Sequence, residues 1–128
     1  MGVLQSSVPA IVICTRDREK ATSFYRDMLG LVLTHEDRFA AVFSIAGVTL
    51  RVSHVPDFVP HEHTILGFTV PDVGATVAAL YERGVTFNRY PAFTQDERGI
   101  LALPGGKQVA WFSDPANRAA YKHQRYNI

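Results

Sequence analysis

Residues 10–33 read AIVICTRDREKATSFYRDMLGLVL, and the plan of that stretch decides the fold. Ile11 to Cys14 is a short apolar run rich in β-branched residues, too brief for a helix, and reads as a strand. Asp17 then supplies a carboxylate that can accept the unpaired N–H groups of a first helical turn, at the favourable end of the helix dipole. Ala21, Phe24, Tyr25, Met28 and Leu29 recur at helical spacing on one face, while Arg18, Glu19, Arg26 and Asp27 fall outside it. That apolar face predicts a helix lying on a sheet. Gly30 can adopt the left-handed conformation that ends a helix, and Leu31 to Leu33 return to extended chain.

The same plan recurs in ILGFTVPDVGATVAALYERGVTF, residues 65–87. Asp72 lies 55 positions beyond Asp17 and Gly84 lies 54 beyond Gly30, so cap and terminator keep register to within one residue. Val73, Val77, Leu80 and Tyr81 form the second stripe. Two units fit a duplication better than a solenoid, which needs about three or more repeats to be stable.

Between the two, the turn Glu36-Asp37-Arg38 leads into a strand from Phe39 to Ile45, and Ala46-Gly47 turns into another from Val48 to His54. Pro56 to Pro60 cannot continue a ladder and reads as the connection. In the second unit Phe87 to Tyr90 is extended, Gln95 to Arg98 is a polar loop, and Ile100 to Leu103 and Lys107 to Ser113 flank a Pro104-Gly105-Gly106 turn. The expected organisation is one domain, 1–128: module one about 8–55, linker 56–62, module two about 63–115, and a tail 116–128 with no clear period.

Composition narrows the function classes. With 47% hydrophobic and 20% charged residues the chain has an ordinary globular make-up. A net charge of +1 gives no footprint for nucleic acid or membrane surfaces. No apolar run approaches the roughly 20 residues that cross a bilayer, and the first residues lack the pattern of a secretory signal. One cysteine cannot form an intrachain disulfide, so the expected location is cytoplasmic.

The strand with its Asp-capped helix containing Ser-Phe-Tyr-Arg-Asp-Met-Leu-Gly (Ser23 to Gly30), its echo Val70-Pro71-Asp72-Val73, and Val-Ala-Trp-Phe-Ser-Asp-Pro (Val109 to Pro115) together resemble the vicinal oxygen chelate superfamily. That superfamily includes glyoxalase I, extradiol dioxygenases and the bleomycin resistance proteins. The resemblance spans about residues 9–115 and implies an α+β fold of two βαβββ modules in tandem, their curved mixed sheets around a concave cavity. It also implies a homodimer, since many members pair.

Metal-dependent members hold a divalent ion with His, Gln or Glu at four places, which the resemblance puts on Ala10, Arg51, Ile65 and near Tyr121. Ala and Ile have no donor atoms, and Arg is a cation that does not deprotonate in a protein. No metal cofactor is therefore expected at the usual place. His61 and His63, alternate residues of one segment, are the alternative chelating pair, against their reading as surface histidines of a linker.

The expected ligand-binding set is Cys14, Phe39, Phe43, Arg51, Thr69, Tyr90 and Trp111. Alternation puts Leu66, Phe68 and Val70 under the second helix and Thr69 on the cavity side, and likewise puts Leu50 and Val52 under the first helix with Thr49, Arg51 and Ser53 opposite. Cys14 reads either as a small buried hydrophobe or as a thiol beside Arg51. Trp111 reads either as core or as a ligand platform. Arg51, if buried, must pair with Glu36, Asp96 or Glu97, or greet an anion. Two functions follow: a metal-free binding protein for a small organic molecule, anionic or aromatic; alternatively, a glyoxalase-like lyase or isomerase, or a dioxygenase, with a displaced metal site. A third route, metal-independent acid–base chemistry, would use Tyr90, Asp96 or Glu97.

Overall fold

The computed structural model describes residues 2–59 and 64–113, together with the backbone of residues 125–127. The chain divides into two compact units, Met1–Phe58 and Val59–Ile128.

In the first unit, β1 (Ala10–Thr15) leads through Asp17 into α1 (Arg18–Ser23). The Asp17 carboxylate accepts the Lys20 N–H at 3.1 Å, so the cap read from sequence is formed. The helix then widens into a π turn over Phe24–Met28, closed by Leu29 N–H on the Phe24 carbonyl. A wider turn rotates the residues after it off the apolar face. Phe24 and Tyr25 are fully buried, whereas Met28 and Leu29 are only half-buried. Gly30 has φ 76°, the left-handed terminator expected of it.

Three strands follow, β2 (Val32–Glu36), β3 (Ala40–Ile45) and β4 (Val48–His54), in the sheet order β1-β4-β3-β2. The last strand pairs parallel with the first and antiparallel with β3. Helix α1 packs on β3 and β4, over Phe43, Leu50 and Val52. Tyr25 and Phe43 meet with centroids 5.6 Å apart, and each such side chain withdrawn from water contributes about 1.5–3 kcal/mol.

The second unit begins with β5 (Thr64–Gly67), shorter than the expected Ile65–Val70, and α2 (Val73–Glu82), whose Asp72 cap accepts the Ala75 N–H at 3.0 Å. Its core is Leu66, Val77, Val85, Ile100, Ala110 and Phe112. Tyr81, expected in the buried stripe, is 72% exposed. The bed beneath α2 takes Val77 fully and Leu80 in part, and the Tyr81 ring instead borders a groove of about 430 Å³ with Phe87, Arg89 and Arg98.

The expected strand Lys107–Ser113 is two strands in different sheets. β6 (Leu101–Ala102) and β7 (Gln108–Val109) form a short ribbon around the Pro104–Gly106 turn, while β8 (Trp111–Ser113) joins the main sheet. The tail supplies an element that its unperiodic sequence did not reveal. Arg125–Asn127 is β9, the middle strand of the order β5-β9-β8, parallel to β5 and antiparallel to β8. Each unit thus pairs its first strand with a parallel strand that comes late in that unit.

Candidate functional site

Three aromatic rings gather in the second unit. Trp111 follows the buried Ala110 and precedes the buried Phe112, and it is only half-buried itself. Phe93 lies over it, nearly parallel at 10° with centroids 5.3 Å apart, and Tyr90 meets Trp111 edge-on at 5.5 Å and Phe93 at 6.2 Å. Phe93 is 46% exposed. Stacked and edge-to-face pairs contribute about 0.5–1.5 kcal/mol each beyond burial, enough to hold the rings in place while a face stays open to solvent. Polar groups border the rings: the Asn88 amide donates to the Ser113 hydroxyl at 2.8 Å and to the Tyr90 hydroxyl at 3.4 Å.

One side chain fixes the loop that carries these rings. Gln95 accepts the Tyr90 N–H through Oε1 at 2.7 Å, and its Nε2 donates to the carbonyls of Asn88 at 2.9 Å and Gly99 at 2.7 Å. The Arg89 guanidinium donates to the carbonyls of Asp96 and Gln95. Asp96 in turn accepts the N–H groups of Ile100 and Arg98. Those N–H groups, Ile100 first, together with the nearby Arg98 charge, lower the Asp96 carboxyl below the usual carboxylate range against a smaller opposing effect of burial. Asp96 is a loop fastener, a poor general base. The sequence reading took Gln95 to Arg98 as a polar loop, with Asp96 and Glu97 as its candidate groups, and missed Gln95, whose role rests on contacts up to seven residues away.

The first unit presents the other candidate face. Register places Val12, Arg51 and Val42 in one row across β1, β4 and β3, with Ala10, Thr49 and Ser44 on one side and Cys14, Ser53 and Ala40 on the other. Cys14 and Arg51 therefore stand on neighbouring strands and the same sheet face. Cys14 is half-buried, and Arg51 is exposed. An exposed guanidinium keeps its hydration, so burial does not force the partner that the sequence reading required. Glu36, one of the three carboxylates offered to Arg51, is bonded to Arg18 on the helix side, and Asp96 is paired with Arg98 at 3.4 Å.

Three of the expected ligand residues fall in different places, and one of them, Phe43, needs correction. Phe43 pairs with Leu50 across β3 and β4, on the helix face, and is completely buried against Tyr25. It is core because the strand alternation runs from Ala41 and Phe43 inward. Phe39 precedes β3, is 59% exposed, and lies beneath the Arg38 guanidinium at 4.8 Å from its ring centroid, at a hairpin tip. Thr69 is exposed and lines an open groove of about 850 Å³ with Gly67, Pro71, Lys107 and Gln108, a groove to which none of the three clustered rings contributes. His61, His63 and Tyr121 lie outside the described residues.

A profile of the Glyoxalase/Bleomycin resistance protein/Dioxygenase superfamily matches residues 7–117. The chain belongs to this superfamily. Among solved structures, a superfamily member from Sphaerobacter thermophilus DSM 20745 is similar at 20% identity and TM-score 0.70, over 98% of this chain and 97% of that one. An antibiotic-binding protein from Streptomyces sp. CB03234 is similar at 24% identity and TM-score 0.70, over 98% and 96%. A lactoylglutathione lyase from Agrobacterium tumefaciens is similar at 14% identity and TM-score 0.68, over 95% and 92%. No curated protein matches the chain. Likeness at these identities carries the α+β fold of the superfamily and no particular chemistry.

The side chains at the three described positions that the family resemblance assigns to a divalent cation do not suit one. Ala10 and Ile65 have no side-chain lone pair, and the Arg51 guanidinium is a cation that does not deprotonate. Among the described residues no three His, Cys, Asp or Glu side chains converge as a ligand group. Among those residues, too, no helix is long and apolar enough to cross a membrane.

Proposed function

We propose that this protein binds a small organic molecule with an aromatic or otherwise planar apolar part, without the divalent cation of its metal-dependent relatives. The observation that carries this reading is the Tyr90, Phe93 and Trp111 cluster, rings locked against one another with Asn88 and Ser113 beside them. A few polar groups set among aromatic side chains are the usual make-up of a small-molecule site. The donor-poor residues Ala10, Arg51 and Ile65 support the metal-free part, and the similar antibiotic-binding protein supports binding as the activity. The protein acts as a homodimer in the cytoplasm on this reading, sequestering its ligand.

Trp111 is the chain's one tryptophan, so its emission reports on the cluster directly. Native mass spectrometry of freshly purified protein should show a dimer carrying an organic adduct or none, and elemental analysis should find no stoichiometric metal. Titration with planar aromatic compounds should quench or shift Trp111 emission saturably, with the response lost in Tyr90→Ala. Stoichiometric zinc, nickel, manganese or iron, or emission indifferent to every aromatic probe, would overturn the reading.

A further inference from the structure

We infer that the open face of the first sheet is a carboxylate seat centred on Arg51. The inference goes beyond the proposed function, which rests on rings of the second unit: it adds, on a face of the first unit, a ligand class of its own, an organic acid.

The face is built by register. Arg51 has Val12 and Val42 beside it in its own row. Thr49 and Ser53, two residues away on the same strand, share its side of the sheet, and Ser44 and Ala10 flank Thr49. Alternate residues of one strand lie about 6.6 Å apart and neighbouring strands about 4.8 Å apart, so Arg51 has hydroxyl residues before and after it on its own strand and aliphatic residues on the strands to either side. This is an arrangement for an anionic head with an apolar body.

Charge on the face is one-sided. Its acidic neighbours are engaged elsewhere: Glu36, next in the chain to His35, turns to the helix side and holds Arg18. His35, which pairs with Val42 at the far end of the Arg51 row, is bonded through Nε2 to Asp37 at 3.0 Å. Asp37 also accepts the N–H groups of Phe39 and Ala40, which keeps its carboxylate at the hairpin tip. Among the described residues no carboxylate pairs with Arg51, and the face has one uncompensated charge, a positive one. A planar guanidinium offers two parallel N–H donors, the geometry that a carboxylate accepts in bidentate fashion. Arg51 acts here as a binding residue, and no bond is made or broken.

The test uses benzoate and its neutral counterpart benzyl alcohol on the full chain, with affinities from isothermal titration calorimetry, NMR at the Arg51 side-chain Nε–H signal of the parent, and Trp111 emission read in parallel. Benzoate should move the Arg51 signal saturably. Arg51→Gln should weaken benzoate roughly tenfold or more while leaving benzyl alcohol and the melting temperature unchanged, and Arg51→Lys should restore part of the loss. Three results would overturn the seat: benzoate leaving the Arg51 signal still, equal weakening of acid and alcohol in Arg51→Gln, or benzoate affinity intact in that variant. The proposed function fails separately, by a Trp111 response absent for both probes.

Discussion

Replacing Gln95 by alanine removes three hydrogen bonds at once, those to the Tyr90 N–H and to the carbonyls of Asn88 and Gly99. At about 1 kcal/mol each the gross loss is about 3 kcal/mol, and because the side chain is only half-buried, water recovers part of it, leaving about 2 kcal/mol. For a domain of this size that corresponds to a fall of roughly 6–10 °C in Tm. The loss should not be spread evenly. Gln95 spans the segment carrying Tyr90 and Phe93, so Trp111 should lose its stacked neighbour and its emission should move to longer wavelength in the folded variant. Gln95→Glu sharpens the case: it keeps an acceptor for Tyr90 but turns a carboxylate oxygen toward two carbonyls, and should cost at least as much as alanine. Differential scanning calorimetry and fluorescence at 20 °C below each variant's Tm measure both effects. A Gln95→Glu protein melting within about 2 °C of the parent, with unchanged Trp111 emission, would refute the reasoning that this amide holds the ring cluster together.

Phe43→Ala should destabilise by about 3–5 kcal/mol through the cavity left against Tyr25, read by denaturant unfolding, while leaving any ligand response of Trp111 in place at temperatures where the variant is folded. Asp37 is held at about 2 by the His35 ring first and then by the N–H groups of Phe39 and Ala40. Because its pKa is depressed on folding, its contribution is complete above the ordinary aspartate value and disappears as pH falls through about 2. Carbon-detected NMR should place the carboxyl midpoint there, and His35→Gln should raise it toward the ordinary value.

Local rules with a fixed spacing were legible in the chain. Asp17 and Asp72 cap helices, Gly30 and Gly84 take positive φ, and Val48–His54 is a strand, because each of these depends on a few residues and one backbone geometry. Misreadings occurred where distant packing decides. Tyr81 has the right helical phase yet finds too little sheet beneath it, and Phe43 looks like any aromatic in a strand until pairing with Leu50 assigns its side. Of the candidate site, Tyr90 and Trp111 were legible as aromatics of undecided place, and Phe93 was not, since an exposed phenylalanine in a loop gains meaning only from the ring it covers. Strand β9 was invisible for a related reason. Three residues have no period, and their extended state comes from the two strands they join.

That joining strand has a consequence for how the polypeptide is made. A chain emerging from the ribosome has all four strands of its first sheet once His54 is out, whereas, among the described residues, β5 and β8 are joined only through residues 125–127. Until those residues appear, two strand edges around Leu66 and Phe112 stand open, and unpaired edges of this kind recruit other nascent chains. A released chain ending just short of residue 125 should therefore be a species with one finished half and one adhesive half, a natural client for a chaperone.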